Sequence, residues 1–229
     1  EAEVSGALLC LDVTSSIVDE AVEKGCNLIV SHHPLIFRPL KRAVGADDVQ
    51  RAVAKAIKHD ITILSMHTNM DNAQGGVNFK MAEKMQLTGV KFFTEKQVDG
   101  ITCGSGVMGE LPGAMAADDF IMMLKREFDV ECVQCNQLLR RPIRTVAICG
   151  GAGSFLLPEA IAAGADAFVT GEMHYHDYFA HEQEIQIAVI GHYQSEQYTY
   201  EIFKSIIEEQ CEGVRCVVTS QNTNPIIYL

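Results

Sequence analysis

The chain of 229 residues has no apolar run approaching the roughly 20 residues that a membrane span needs. No basic-then-apolar leader opens it. It therefore reads as soluble, uncleaved and cytoplasmic, although Ala7–Leu11 already reads as a core strand, so an earlier segment is expected to be missing. Positive charge is scarce: 18 Lys and Arg stand against 30 Asp and Glu, a formal net charge of -12. Affinity for phosphate backbones comes from clustered cations, so nucleic acid is not an expected partner, whereas metal cations are. The eight cysteines lack the pattern of a disulfide framework. Most of them (Cys10, Cys26, Cys103, Cys149, Cys211 and Cys216) lie in apolar stretches, as buried thiols of a reducing compartment do. Cys132-x-x-Cys135 has no second pair to complete a zinc site and reads as two positions on a short strand. In Cys149-Gly150-Gly151-Ala152-Gly153-Ser154 the last glycine of a dinucleotide fingerprint is missing, with Leu156 in its place, and no P-loop lysine follows. That stretch reads as a tight turn.

Hydrophobic patterning places a strand at Ala7–Asp12, a helix at about Ser15–Lys24 with Ser15 as N-cap and Gly25 as stop, and a buried strand at Leu28–Ser31. This is a βαβ unit. An amphipathic helix over Asp47–His59, with Val49, Val53, Ala56 and Ile57 on one face, leads to a buried strand at Ile61–Met66. His67-Thr68-Asn69-Met70-Asp71 and a Gly75-Gly76 turn then enter a helix ending near Met85. From about Gly89 to Gly113 short β runs with many glycines suggest a crossing between domains. A helix over Asp118–Phe128, a strand at about Val130–Val133 and a buried strand at Arg144–Cys149 follow.

Two stretches repeat. Glu20-Ala-Val-Glu-Lys-Gly25-Cys-Asn-Leu-Ile-Val30-Ser31 parallels Glu159-Ala-Ile-Ala-Ala-Gly164-Ala-Asp-Ala-Phe-Val169-Thr170. Ile63-Leu64-Ser65-Met66-His67-x-x-x-Asp71 parallels Ala188-Val189-Ile190-Gly191-His192-x-x-x-Glu196. An internal duplication is expected, each copy delivering a strand-end loop with a histidine and, four residues later, a carboxylate. Strand carboxyl ends are where open α/β sheets keep their ligands.

Imidazole and carboxylate together suit borderline divalent metals. The donor candidates are His32, His33, Asp71, His192 and Glu196, with His67 close by. Neighbouring strand residues point to opposite faces, so His32 and His33 can aim into one site only if the backbone turns there; Pro34 favours an extended residue before it. His192 and Glu196 lie over one face if their turn is helical, with Glu196 near the start of a helix running to about Gln210. Five donors exceed one tetrahedral ion, so two ions sharing a carboxylate are expected. In Thr170-Gly171-Glu172-Met173-His174-Tyr175-His176-Asp177, the residues Glu172, His174 and His176 could shuttle protons beside a metal-activated water, or form an exposed helix start.

With these motifs the chain resembles the GTP cyclohydrolase 1 type 2 family, also called the NIF-three-like family. The residues that carry the resemblance are Ser31-His32-His33-Pro34-Leu35-Ile36-Phe37, His67-Thr-Asn-Met-Asp71 with Gly75-Gly76-Val77-Asn78, Thr170-Gly171-Glu172, and Gly191-His192-Tyr-x-x-Glu196. They run in family order over nearly the whole chain. The family's usual opening segment is absent before Glu1, and Glu172 stands where relatives often have Asp.

The resemblance implies two similar interleaved α/β domains, residues 1–95 with 186–229 and residues 96–185, with the metal site in the cleft between them. It implies a toroidal homohexamer and a dinuclear centre held by His32, His33, Asp71, His192 and Glu196, the metal being Zn, Mn, Fe or Ni. It further implies a metal-dependent hydrolase in which an activated water attacks a nucleotide-like or phosphate-bearing small molecule, GTP among them, with His67, His174 or His176 relaying protons. The rival expectation is a non-catalytic metal-binding regulatory or scaffold protein forming an oligomeric ring.

Overall fold

A computed structural model describes residues 3–229. They form two compact units: one contains the chain up to Met70 together with Thr199–Ile227, the other Asp71–Tyr198 with Tyr228–Leu229. The unit borders therefore lie at 70/71 and 198/199, whereas the glycine pattern suggests a crossing near 95. Residues 71–95 go with the second unit because their helix and strand pack into its sheet. No helix among the described residues is long and apolar enough to cross a membrane.

The first unit opens with β1 (Ala7–Cys10), α1 (Ser15–Glu23), β2 (Leu28–Ser31), α2 (Asp48–Lys58) and β3 (Thr62–Ser65). Thr14, not Ser15, caps α1: its hydroxyl accepts from the Ile17 N–H. Ser15 is drawn away by Asp48, whose carboxylate accepts from its N–H and hydroxyl at 3.0 and 2.6 Å. Asp47 caps α2 in the same way through the Gln50 N–H. The inward stripe of α2 is Ala52 and Ala56, one turn apart, and Ile57 is exposed. Small residues there let α2 lie close to Ile17, Val18 and Ala21 of α1 in one core.

The second unit begins within the short α3 (Thr68–Asp71) and continues through α4 (Val77–Lys84), β4 (Thr88–Phe92), a β5 (Glu95–Val98)–β6 (Ile101–Gly104) hairpin, β7 (Val107–Met115) and α5 (Ala117–Glu127). It ends with β8 (Gln134–Cys135), β9 (Ile143–Cys149), α6 (Leu157–Ala162), β10 (Ala167–Thr170), β11 (Gln186–Val189) and α7 (His192–Glu196). Its sheet runs β4-β7-β9-β10-β11-β8, parallel over β9, β10 and β11 and antiparallel at the other pairings. Alternation along the strands fills two cores. Val146, Ile148 and Val169 face Phe120, Leu124 and Phe128, while Ala147, Phe168 and Ile187 pack with Leu156, Leu157 and Ala160. The strand expected at Val130–Val133 is shifted to β8, which holds Cys135 but not Cys132, because pairing with β11 starts only at Gln134.

The chain then returns to the first unit with α8 (Thr199–Gln210) and β12 (Cys216–Val218). The single helix expected to run to Gln210 is thus two, broken at Gln197–Tyr198, which puts Glu196 at the end of α7. β12 adds in parallel to β1, giving the order β12-β1-β2-β3. As the outermost strand, β3 shows Thr62 and Leu64 to solvent, so it is not the buried strand that its apolar run suggests. Burial of the thiols is also uneven: Cys10, Cys26 and Cys149 are buried, whereas Cys132, Cys135 and Cys211 are exposed.

Candidate metal centre

In the first unit three parallel strands end side by side, and each end carries a polar group. The turn that the histidine pair requires is present: the N–H groups of His32 and His33 both donate to the Leu11 carbonyl, at 3.2 and 2.9 Å. This lifts both residues off the β2–β3 ladder, whose last pair is Ser31 and Ser65. The Ser31 hydroxyl braces the turn, lying 2.8 Å from the Ser65 hydroxyl and donating to the His33 carbonyl at 2.9 Å. The rings of His32 and His33 are consequently 4.9 Å apart, and that of His67 lies 5.3 and 5.5 Å from them. One ligand nitrogen from each of the three lies within 4.8 Å of the others.

Their orientation is set through Nδ1. His32, fully buried, places Nδ1 3.0 Å from the Met66 carbonyl, which can only accept, so Nδ1 carries the proton and a neutral ring has its lone pair on Nε2. His33 Nδ1 donates to Asp12 Oδ1 at 2.7 Å, and the other Asp12 oxygen accepts from the Thr223 hydroxyl at 2.7 Å. A carboxylate or carbonyl behind the far nitrogen is the usual support of a metal-binding imidazole.

The second unit has its own donor set, built on the turn after β9. Gly151, at φ +60°, sits so close to Glu196 that a Cβ there would meet Oε1 at 2.2 Å. Gly171 is packed as tightly: a Cβ would lie 2.7 Å from both the Gly151 carbonyl and the Ser195 hydroxyl. Ser195 accepts from the Gly151 N–H at 3.0 Å and donates to the His192 carbonyl at 2.8 Å. Buried Asn78 accepts from the Gly150 N–H at 2.8 Å and donates to the Asp71 carbonyl at 3.0 Å, tying the Asp71 segment to the same turn.

On this seat the first helical turn of α7 sets His192 Nε2 3.1 Å from Glu196 Oε2. The Glu172 carboxylate accepts from His192 Nδ1 at 2.7 Å. The hydrogen bond with Glu196 raises the His192 pKa, burial opposes it, and the charges of Glu196 and Glu172 add to the rise. Asp71 and Glu196 both act on the Cys149 thiol, which burial first and then these two charges push up to about 12.

Each unit thus gathers its own expected donors: His32, His33 and His67 in one, Asp71, His192 and Glu196 in the other. In both, the donor chemistry fits a divalent cation. His174 and His176 are placed differently. The His174 N–H donates to Asp177 at 3.2 Å, and the His176 ring stacks on Phe179 at 5.9 Å and meets Tyr175 edge-on at 5.3 Å, so both belong to an exposed aromatic loop. The reading of the motifs missed Asp12 and Ser195, and it included Asn78 in the Gly75–Asn78 motif without giving it a role. Asp12 was within reach, as a carboxylate one residue beyond a candidate strand in the same sheet as the histidine pair. Ser195 carries no signal of its own, since a polar residue near a helix end reads as solvated, and nothing in the Gly75–Asn78 motif tells that Asn78 is buried.

A family model described as Duf34/NIF3 (NGG1p interacting factor 3) matches residues 1–225. A Clostridium perfringens protein named GTP cyclohydrolase 1 type 2 homolog is 30% identical, the match covering 100% of this chain and 88% of that one. Among solved structures, Staphylococcus aureus hypothetical protein SA1388 superposes with a TM-score of 0.90 at 28% identity, covering 100% of this chain and 88% of the other. A Bacillus cereus protein related to NIF3 superposes with a TM-score of 0.88 at 24% identity, covering 99% and 90%, which bears on the fold alone.

Proposed function

The chain belongs to the DUF34/NIF3 family, and on that premise we propose that it is a dinuclear metal-dependent hydrolase acting on a nucleotide-like or other phosphate-bearing small molecule, with GTP among the candidates. In this reading His32 and His33 in the first unit, and Asp71, His192 and Glu196 in the second, would serve as ligands of divalent cations, two per chain, of Zn, Mn, Fe or Ni. One observation carries it: the three proposed imidazole ligands have Nδ1 committed to an oxygen acceptor, Met66, Asp12 or Glu172, so Nε2 is the nitrogen each would turn to a cation, that of His192 in place of its hydrogen bond with Glu196. Five donors exceed the four of one tetrahedral ion, so two ions per chain would be held.

When bound, the ions supply Lewis acidity and bring the pKa of water into the physiological range. The chain's own groups orient and shuttle. Asp12 and Glu172 fix the rings of His33 and His192, the Gly150–Gly151 turn holds Glu196, and His67 moves protons beside His32 and His33. His174 and His176 enter as outer proton carriers on the loop that bears Glu172. The duplicated two-domain plan, the toroidal hexamer and a cytoplasmic location belong to the same proposal.

The test is metal-loaded protein incubated with a panel of nucleotides and followed by mass spectrometry, with metal content measured on wild type, Asp71→Ala and Glu196→Ala. Hydrolysis of at least one nucleotide and loss of at least one of two ions in each variant are expected. Retention of two ions in both variants overturns the ligand set. Absence of turnover throughout, with His32→Ala stripping metal but leaving the oligomer intact, assigns the centre to the non-catalytic scaffold reading.

A further inference from the structure

In the first unit, the residues between the histidine pair and α2 form a loop that is fixed at both ends and open in the middle. At its start Pro34 follows His33, and Leu35 packs against the core of the unit. At its far end the carboxamide of buried Gln50, on α2, accepts from the Val44 and Ala46 N–H groups at 3.0 and 3.4 Å. Between these anchors Phe37, Arg38, Lys41 and Arg42 are exposed. The Phe37 ring lies 6.2 Å from that of His67, which sets the loop beside the imidazoles of the same unit, and the residue is 74% exposed.

Charge says what this loop is suited to meet. Arg38, Lys41 and Arg42 fall within five positions, and no Asp or Glu stands between Glu23 and Asp47, in a chain whose formal net charge is -12. None of the three cations forms a hydrogen bond or an ion pair with a described residue. Elsewhere in the unit Lys24 meets Glu20, Arg51 meets Asp48 and Lys55 meets Asp19. The loop therefore keeps three cationic heads uncompensated beside a set of metal donors. An anion is repelled by the molecule as a whole, and a local patch of opposite sign reverses that field at the one place where an anionic substrate has to arrive. Guanidinium groups take phosphate oxygens in pairs, and an ammonium takes them as a point charge. Three positive charges exceed the roughly two negative charges of a phosphate monoester at pH 7 and suit a longer phosphate chain. An open phenyl ring adds a platform on which any nucleobase can stack.

We propose that this loop is the substrate-recognition arm of the proposed metal centre: Arg38, Lys41 and Arg42 hold the di- or triphosphate of a nucleotide, and Phe37 stacks on its base. The inference rests on the nucleotide-like substrate proposed above, and it adds which residues recognise that substrate and that its phosphate chain carries most of the affinity.

The experiment is a binding series on the metal-loaded protein, with guanosine, GMP, GDP and GTP followed by ligand-observed NMR and metal content checked after each titration. Affinity is expected to rise with each phosphate and to fall with added salt. Arg38→Gln, Lys41→Gln and Arg42→Gln combined are expected to weaken GTP about 10- to 100-fold and to leave guanosine as in wild type. Phe37→Ala is expected to weaken guanosine and GTP alike, by about 5- to 10-fold. Lys58→Gln, Lys96→Gln and Arg140→Gln combined remove the same charge from exposed positions outside the loop and are expected to leave GTP affinity nearly unchanged. Equal affinity of the wild type for guanosine and GTP overturns the proposal. So does unchanged GTP affinity in the loop variant, which would leave the metal ions as the holders of the phosphates, or an equal loss in both triple variants, which would reduce the effect to net charge. Binding to phosphatidylserine vesicles that the loop variant loses while keeping its GTP affinity assigns the loop to a lipid surface, and also overturns it. Phosphate-dependent binding that the loop variant loses, without turnover of any nucleotide, keeps this inference and removes the hydrolase reading, so the two fail separately.

Discussion

Glu172 holds His192 from behind, and its role is orientation: it touches Nδ1, the nitrogen turned away from Glu196. Glu172→Gln keeps the size but not the charge, and it is expected to weaken divalent-cation binding about 10- to 100-fold at unchanged stoichiometry. Competition with a chelator of known affinity reads this directly; an unchanged affinity would leave Glu172 as a surface carboxylate. Gly151 works by absence of a side chain. Gly151→Ala carries a left-handed backbone cost of about 1–2 kcal/mol and drives a methyl group into the Glu196 carboxylate. Gly164→Ala, at φ +78° with open space around it, meets only the backbone cost and is the matched control. Both variants should lose stability in urea, Gly151→Ala by more because of its clash, while Gly151→Ala alone loses metal. At this scale the sequence displays the donors themselves, since histidines and carboxylates at strand ends are conspicuous. It does not display Asp12 as the partner of His33, or Asn78 as the tie between Asp71 and Gly150, because those pairs are made by strand register and by residues 21 and 72 positions apart.

Among the elements, α1 shows how two capping-competent residues divide their work. Thr14 caps the helix and Ser15 binds Asp48, so Thr14→Ala should cost about 1 kcal/mol through the lost cap. Thermal unfolding of Thr14→Ala beside Thr14→Ser, which restores the hydroxyl, checks it. The same helix anchors the chain segment after β12. Buried Glu20 accepts from the Ser220 N–H and hydroxyl, both at 2.8 Å, and from the Thr219 hydroxyl. Burial alone would raise its pKa, but these hydrogen bonds and the Lys24 ammonium outweigh it and bring it to about 2.

The folded value lies below the unfolded one, so Glu20 stabilises the fold above the ordinary carboxylate range and that contribution fades as pH falls towards 2, with a size on the order of 3 kcal/mol. The protection of the Thr219 and Ser220 amides, read as exchange relative to the intrinsic rate at each pH, should therefore fall on acidification below about pH 4.5 in wild type, and start lower and stay flatter in Glu20→Gln. Most elements were legible from periodicity. The misplacements have physical causes: an apolar strand that lies at a sheet edge, a helix broken where the chain passes between units, and a short strand positioned by its partner and not by its own residues.

For the whole molecule, the α/β class was legible because βαβ patterning is local, whereas the border of the first unit was not. Nothing in Met70 or Tyr198 marks a boundary; what decides it is which sheet the following segment joins. The first unit's sheet is parallel throughout, and its β1 is an inner strand only because Cys216–Val218 pairs with Ala7–Leu9. The order of synthesis then matters. As the chain leaves the ribosome, β1, β2 and β3 emerge early, every strand of the second unit follows, and β12 comes afterwards. Until it does, the apolar β1 keeps an open edge while the second unit already has every strand of its own sheet. A chain stalled after Tyr198 is expected to show a protease-resistant core from 71–198 and cleavage within residues 3–70, with resistance of the early segment appearing only when 216–218 are included. A strand made early must therefore wait for one made much later, and the interval between them is the period in which β1 is most exposed to mispairing with another copy of itself.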